Sequence, residues 1–293
     1  MGVNRVKSTF RGPIMLTQTS SLCAQALRQP FDSTLPLAEV TLPIHSPGTM
    51  TGDEISDMVG TFNRYGFVIL DCESSERDNL LALKPLLGNA APHKRADGDG
   101  VVPINAFKPV DGHIDSSHEA HLPHTDGAFS DAPERIITLQ CVRPSHQGGL
   151  STLSSAKAAY RHIVDRYGNV APLARADAPT IERTTQKSTA PVFKAEDDGW
   201  SIKFRMNDGA ATATPAAAAA AADMYDSLAR FLTDPDNVLL FPLEPGQILI
   251  GDNTAVTHGR TGYPPDQRRN MRRLNFDGHG ALERQLVFGF GDD

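Results

Sequence analysis

A chain of 293 residues with a formal net charge of −7 lacks the basic face that nucleic-acid wrapping requires, and it is long enough to bury about three quarters of its unfolded surface without staples. Its three cysteines, Cys23, Cys72 and Cys141, are odd in number and far apart, which excludes a disulfide framework and fits a reducing, cytoplasmic compartment. No apolar run approaches the roughly 18 residues of a membrane span, so neither a membrane nor nucleic acid is an expected partner.

The first 31 residues carry Arg5, Lys7, Arg11 and Arg28 but no acid before Asp32. This faintly resembles a transit peptide, and a loose arm accounts for it better. Residues 1–34 are therefore read as a flexible arm and 35–293 as a single domain. Val6 stands where a myristoylation signal after Gly2 would need Ser or Thr.

Leu35–Leu42 alternates loosely and is expected to form a first strand. Ile55, Met58, Val59 and Phe62 fall at helical spacing after Gly52, and Gly66 stops that helix. Phe67–Leu70 reads as a short buried strand and Asn79–Leu87 as a second helix. Residues 88–120 show no period and form a long loop, of the kind that is usually functional or mobile. Ile136–Val142 alternates, with Ile137, Leu139 and Cys141 on one face. Ser151–Leu153 resumes a strand after Gly148-Gly149, and Ser155 caps a helix through Tyr167 that ends at Gly168. Asp198-Gly199 marks a hairpin between Val192–Lys194 and Trp200–Arg205. The alanine run from Ala216 reads as a helix start, with Thr214 as cap and Pro215 at the first position. Val238–Phe241, Ile248–Ile250 and Met271–Phe276 complete the strands. Many short strands with a few helices predict an α+β, mainly β, antiparallel jelly roll with helices packed outside.

Two segments carry chemistry. Pro123-His124-Thr125-Asp126-Gly127 offers an imidazole and a carboxylate two positions apart, which project to one face of an extended strand. Nitrogen plus hard oxygen suits a borderline divalent ion such as Fe(II). A second His-x-Asp, His113-Ile114-Asp115, lacks an apolar frame and is not read as a metal site. The third ligand candidate is His258, after the strand ending in Asp252-Asn253. Downstream, Arg269 and Arg273 share a strand face with Met271. Two inward guanidinium groups need anions to pair with them, and a dicarboxylate would answer; a solvated basic edge strand is the plainer alternative.

Taken together, His124-Thr125-Asp126-Gly127-x-Phe129, Gly148-Gly149-x-x-Thr152, Gly251-Asp252-Asn253, His258-Gly259-Arg260-Thr261 and Gln267-Arg268-Arg269-x-Met271-x-Arg273 resemble the TauD/TfdA group of Fe(II)/2-oxoglutarate-dependent dioxygenases, within the clavaminate-synthase-like superfamily. The resemblance spans roughly residues 54–280. It implies a double-stranded β-helix with a helical insertion at about 155–234. It also implies His124, Asp126 and His258 as iron ligands. Thr152 would help hold 2-oxoglutarate, Arg269 would pair with its distal carboxylate, and Arg273 would brace it or meet a substrate anion. The implied reaction uses O2, releases succinate and CO2, and abstracts hydrogen from a C–H bond. Halogenating relatives carry a small residue at the position of Asp126, so hydroxylation, desaturation or cyclisation is expected instead. Because the histidines must be neutral to bind metal, activity is expected to fall at acid pH.

A non-catalytic sensor of iron or 2-oxoglutarate is the alternative function, and a zinc hydrolase a more distant one that gives Arg269 no role. The substrate is expected to be a small polar molecule, carboxylate-bearing or amino-acid-derived, held by residues 88–121, 190–210 and 259–265. Arg205 and Arg273 are candidate anion contacts, with Arg205 more simply read as an exposed strand position. A homo-oligomer is compatible with all of this.

Overall fold

The computed structural model describes residues 28–175, 179–183, 185–208, 211–214 and 219–292. Packed structure starts earlier than expected. Arg28 and Phe31 are buried, and the N–H of Gln29 donates to the Arg64 carbonyl at 2.6 Å. Residues 28–34 are thus part of the domain, and 1–27 lie outside the described residues.

Local signals build the first elements. Leu37–Glu39 is a single 3-10 turn rather than a strand; it brings the Glu39 carboxylate to the Tyr65 hydroxyl at 2.7 Å, and β1 (Thr41–Ile44) follows. Helix α1 (Gly52–Tyr65) starts at a reciprocal cap, Thr51 with Glu54, and ends where Gly66 adopts φ 82°, a left-handed turn that glycine takes without steric cost. Strand β2 (Phe67–Cys72) comes next. The expected second helix is split into α2 (Arg77–Leu81) and α3 (Lys84–Leu87), since Pro85 has no N–H to carry one helix through.

The long loop holds one short strand, β3 (Val102–Ile104), and leads into β4 (His121–His124). Next come β5 (Ile136–Arg143), β6 (Ser151–Ser155) and α4 (Ala156–Tyr167), capped by Ser155 and stopped at Gly168. The insertion also contains β7 (Thr180–Arg183), β8 (Gln186–Thr189), β9 (Phe193–Glu196), β10 (Gly199–Ile202) and β11 (Thr212–Thr214). Only then does α5 (Ala219–Thr233) begin. The insertion is therefore half sheet, not simply helical. Thr214 ends a strand, and the expected Pro215 start lies outside the described residues. The chain closes with β12 (Leu239–Phe241), β13 (Gln247–Asp252), β14 (Val256–Arg260) and β15 (Asn270–Arg273). The last strand is shorter than expected; Phe276 instead forms isolated bridges to Ile136 and Ala90.

Two sheets face each other. One has the order β1-β2-β13-β5-β15-β3, the other β12-β6-β14-β4. Phe67, Ile69, Leu249 and Met271 of the first pack with Leu153, Val256 and Phe241 of the second. The alternate residues Val68, Leu70, Ile248 and Ile250 pack outward with Met58 and Phe62 of α1. Both faces of β2 and β13 are buried, which is why their sequences are continuously apolar. A third cluster joins α4 and α5 to the insertion through Tyr160, Phe193, Leu228 and Phe290. The result is the mainly β, helix-flanked jelly roll that the pattern predicts. Among the described residues no helix is long and apolar enough to cross a membrane.

Candidate metal centre and its two cavities

Pairing within the four-stranded sheet brings the distant histidines together. On β14, His258 is in register with His124 on β4 and with Leu153 on β6. The rings of His124 and His258 lie 4.3 Å apart. Close approach depends on Gly259: a Cβ there would sit 2.4 Å from the His121 carbonyl oxygen. Asp126 is not on the strand, as expected from sequence, but opens the turn that follows β4. Gly127 makes that turn at φ 67°, where any Cβ would meet Glu134 Oε2 at 2.4 Å.

The outcome is a convergent donor set. Asp126 Oδ1 lies 3.4 Å from His124 Nε2 and 3.7 Å from His258 Nε2. The three are the one group of His, Cys, Asp or Glu residues among those described whose ligand atoms, all within 4.8 Å of one another, could hold a metal ion. His124 Nδ1 is 2.8 Å from the Leu122 carbonyl, so that nitrogen donates and leaves the Nε2 lone pair free for a metal. His258 Nδ1 is buried with no hydrogen-bond partner among the described residues. The His113-x-Asp115 pair is no metal site: Asp115 binds Arg95 at 2.6 Å, and His113 accepts from Arg183.

Three residues fix Asp126, and sequence reading assigned this role to none of them. Asn275 Nδ2 donates to Asp126 Oδ2 at 2.7 Å, and Arg273 Nη1 lies 3.3 Å from the same oxygen. Oδ1 is thereby left facing the histidines. Asn253 grips the backbone on both sides: its Oδ1 accepts from the Asp126 N–H at 2.8 Å, and its Nδ2 donates to the Asp126 carbonyl at 2.9 Å. Its neighbour Asp252 is a buried anchor 3.2 Å from the Arg28 guanidinium.

Charges respond to this burial. Desolvation alone would raise the Asp126 carboxyl, but Arg273 and the two histidines hold it well below the usual carboxylate range. Burial, with His124 beside it, pushes His258 down to about 3. The His258 ring can thus stay neutral below the usual imidazole range. Burial also pushes the Cys72 and Cys141 thiols up to about 12, which removes them as nucleophiles.

An inner cavity of about 60 Å³ lies beside the trio and is lined by Thr152, Arg260 and Arg269 together with the apolar Ile137, Leu139 and Leu249. Arg269 is 2% exposed. Its Nε donates to the Gly149 carbonyl at 3.1 Å, and no carboxylate pairs with it among the described residues. Burial, and then Arg260, push it down to about 10, so it stays charged at neutral pH. A buried, acid-free guanidinium beside three convergent metal donors is a place for an anion.

An outer cavity of about 740 Å³ shares Asp115, His121, Asp126 and Arg273 with the inner one. Residues 89–94, Asp111 and residues 113–115 line it, as expected for the long loop, and so do Arg183 and Arg205. Arg205 is not an exposed strand position: it lies beyond the end of β10 in an isolated bridge to His124, is buried, pairs with Asp208 at 2.8 Å and sits beside His121 and Phe129. Of residues 259–265, Gly259 and Arg260 line the inner cavity and none lines the outer one.

Residues 30–275 match the family described as taurine catabolism dioxygenase TauD, TfdA family. A uridine-5'-phosphate dioxygenase from Amycolatopsis sp is 28% identical over 243 residues, spanning 75% of this chain and 88% of the relative. One of the same name from Streptomyces sp is 29% identical over 161 residues, 52% of this chain and 58% of the relative. The fold is similar to that of an asparagine oxygenase solved with Fe(II), a hydroxyasparagine and succinate: TM-score 0.61, 11% identity, 81% of this chain and 94% of that one. A taurine dioxygenase from Burkholderia xenovorans superposes with TM-score 0.61 at 17% identity, over 85% of this chain and 91% of that one.

Proposed function

The chain belongs to the taurine catabolism dioxygenase TauD, TfdA family, and from that membership we propose that it is an Fe(II)- and 2-oxoglutarate-dependent oxygenase. In this reading His124 Nε2, Asp126 Oδ1 and His258 Nε2 hold the iron. The donor set fits: two neutral imidazoles and one carboxylate on one side leave positions open for cosubstrate and O2. Bound iron supplies the coupling of 2-oxoglutarate decarboxylation, giving succinate and CO2, to oxidation of a substrate C–H bond.

The chain's own residues do the positioning. Arg269 takes the distal carboxylate of 2-oxoglutarate, with Thr152 beside it. Asn275 and Arg273 keep Oδ2 of Asp126 occupied, so that only Oδ1 turns to the metal. Ile137, Leu139 and Leu249 form the apolar wall that keeps bulk water from the inner cavity. The observation that carries the reading is the juxtaposition of the convergent trio with a buried guanidinium that lacks an acid.

The substrate is a small polar anion. Guanidinium groups in the outer cavity and the named activity of the relatives together favour a nucleoside 5'-phosphate over an amino-acid-derived carboxylate. Purified protein with Fe(II), ascorbate and 2-oxoglutarate is expected to release succinate faster when uridine-5'-phosphate is added, and Asp126→Ala to abolish that release. Tight binding of Fe(II) and 2-oxoglutarate, with no succinate formed over a panel of nucleotides, amino acids and other small acids, would favour the sensor reading instead.

A further inference from the structure

Four arginines line the outer cavity: Arg135 just ahead of β5, Arg183 at the end of β7, Arg205 after β10 and Arg273 on β15, and Arg135 is stacked over the Phe288 ring at 3.9 Å. Two of them are already matched by acids. Arg205 has Asp208 at 2.8 Å, and Arg273 has Asp126 at 3.3 Å and Asp115 at 3.8 Å. Arg183 has no carboxylate within ion-pair range among the described residues. Its Nη2 donates to the Gly112 carbonyl at 3.0 Å and to His113 Nδ1 at 2.7 Å, and both partners are neutral.

Arg183 and Arg205 also share one aromatic plate. Their guanidinium carbons lie 5.1 and 5.9 Å from the centroid of Phe129, three residues after Asp126. Half-burial lowers the Arg183 pKa, and the positive charges of Arg205 and Arg273 lower it further, with the more distant Asp115 and Asp208 carboxylates offsetting this only in part. A cation that is both desolvated and repelled by its neighbours is costly until an anion joins it. Two guanidiniums arriving from different segments ask for acceptor oxygens that do not lie in one plane. A tetrahedral phosphoryl group offers three such oxygens, whereas a carboxylate offers two in a plane that one arginine satisfies.

We propose that Arg183 is the anchor for the phosphomonoester of the substrate, holding it against Phe129 with Arg205 at its flank. This rests on the oxygenase reading above for the identity of the substrate, but binding alone can test it. Protein loaded with Mn(II) and 2-oxoglutarate is titrated calorimetrically with uridine-5'-phosphate, uridine and inorganic phosphate. The variants are Arg183→Gln, Arg183→Lys and, as a control on the exposed side of α4, Arg166→Gln.

Nucleotide affinity is expected to fall about 30-fold in Arg183→Gln, the low end for removing a partly buried charged partner. It should recover in part in Arg183→Lys, while uridine binds all variants alike. Unchanged nucleotide affinity in Arg183→Gln overturns the assignment. So does an equal loss for uridine and its phosphate, which would mean that Arg183 merely braces Gly112 and His113. Wild-type protein that binds neither the nucleotide nor inorganic phosphate overturns it too. Succinate formation in Fe(II)-loaded samples reads the oxygenase assignment separately. An inert protein that still binds nucleotide through Arg183 would sink the oxygenase reading and leave the anchor standing.

Discussion

The inner and outer cavities meet along Asp115, His121, Asp126 and Arg273, yet are built from different material. The inner wall comes from paired strands: Thr152 on β6, Gly259 and Arg260 on β14, and Arg269 just ahead of β15. Cross-strand register fixes these side chains, as where Gly259 sits opposite Thr152. The outer wall comes from the long loop and the insertion, with His93, His113, Arg183 and Arg205. Chemistry shared by a family is carried on rigid sheets, while recognition of a particular substrate is left to loops that can change without disturbing the barrel.

The sharpest way to break this division is Arg269→Leu. If the inner cavity is dedicated to the diacid, 2-oxoglutarate affinity should fall on the order of 100-fold, with metal affinity and nucleotide binding near wild type. A matching loss of nucleotide affinity would show that the cavities are not separate. Asn275→Leu tests the shared carboxylate. Losing an outer partner typically costs about 10-fold or more in metal affinity, so Mn(II) binding by calorimetry should weaken by about 10-fold while the fold persists. An unchanged affinity would mean that Arg273 alone orients Asp126.

The smallest expected effect is on pH dependence. His258, at the inner cavity, is pushed down to about 3. His93, at the outer one, is pushed down to about 4, by burial first and by Arg273 next. In the unfolded chain both protonate near the ordinary imidazole value of about 6.5. Between about 6.5 and about 4 the unfolded state binds more protons, so metal-free protein should lose stability as pH falls through that window. Melting temperatures across it should decline less steeply in His93→Asn than in wild type. Parallel declines would mean that His93 is solvated.

The sequence made the candidate site groups legible because each sits in a local pattern: His124 and Asp126 before a turn glycine, Arg269 and Arg273 four apart around Met271. Helix ends and alternating strands were equally readable at Gly66, Ser155, Gly168 and Ile137–Cys141, while the Thr51 cap was not picked out. What escaped was nonlocal. Asn253 and Asn275 are neutral amides whose meaning depends on meeting Asp126 across 127 and 149 positions. Strand β14 is short and polar and contains a glycine, so no periodicity marked it. Arg205 was misread because a lone arginine near a hairpin gives no sign that the chain beyond the hairpin will bridge to His124. The hairpin of β9 and β10 was legible from Asp198-Gly199, whereas the three-stranded sheet β11-β7-β8 escaped because Thr, Gln and Lys on β8 do not alternate in hydropathy.

The double grip of Asn253 on the peptide of Asp126 has a consequence for how the protein is made. A chain that has emerged only as far as residue 130 already carries an imidazole and a carboxylate, but lacks the amide that holds the acid in place and the second ring that completes the cluster. Until the C-terminal strands arrive and dock, a redox-active ion finds only a weak, exposed, two-toothed hold. The complete three-donor cluster therefore exists only once the two sheets have closed on each other.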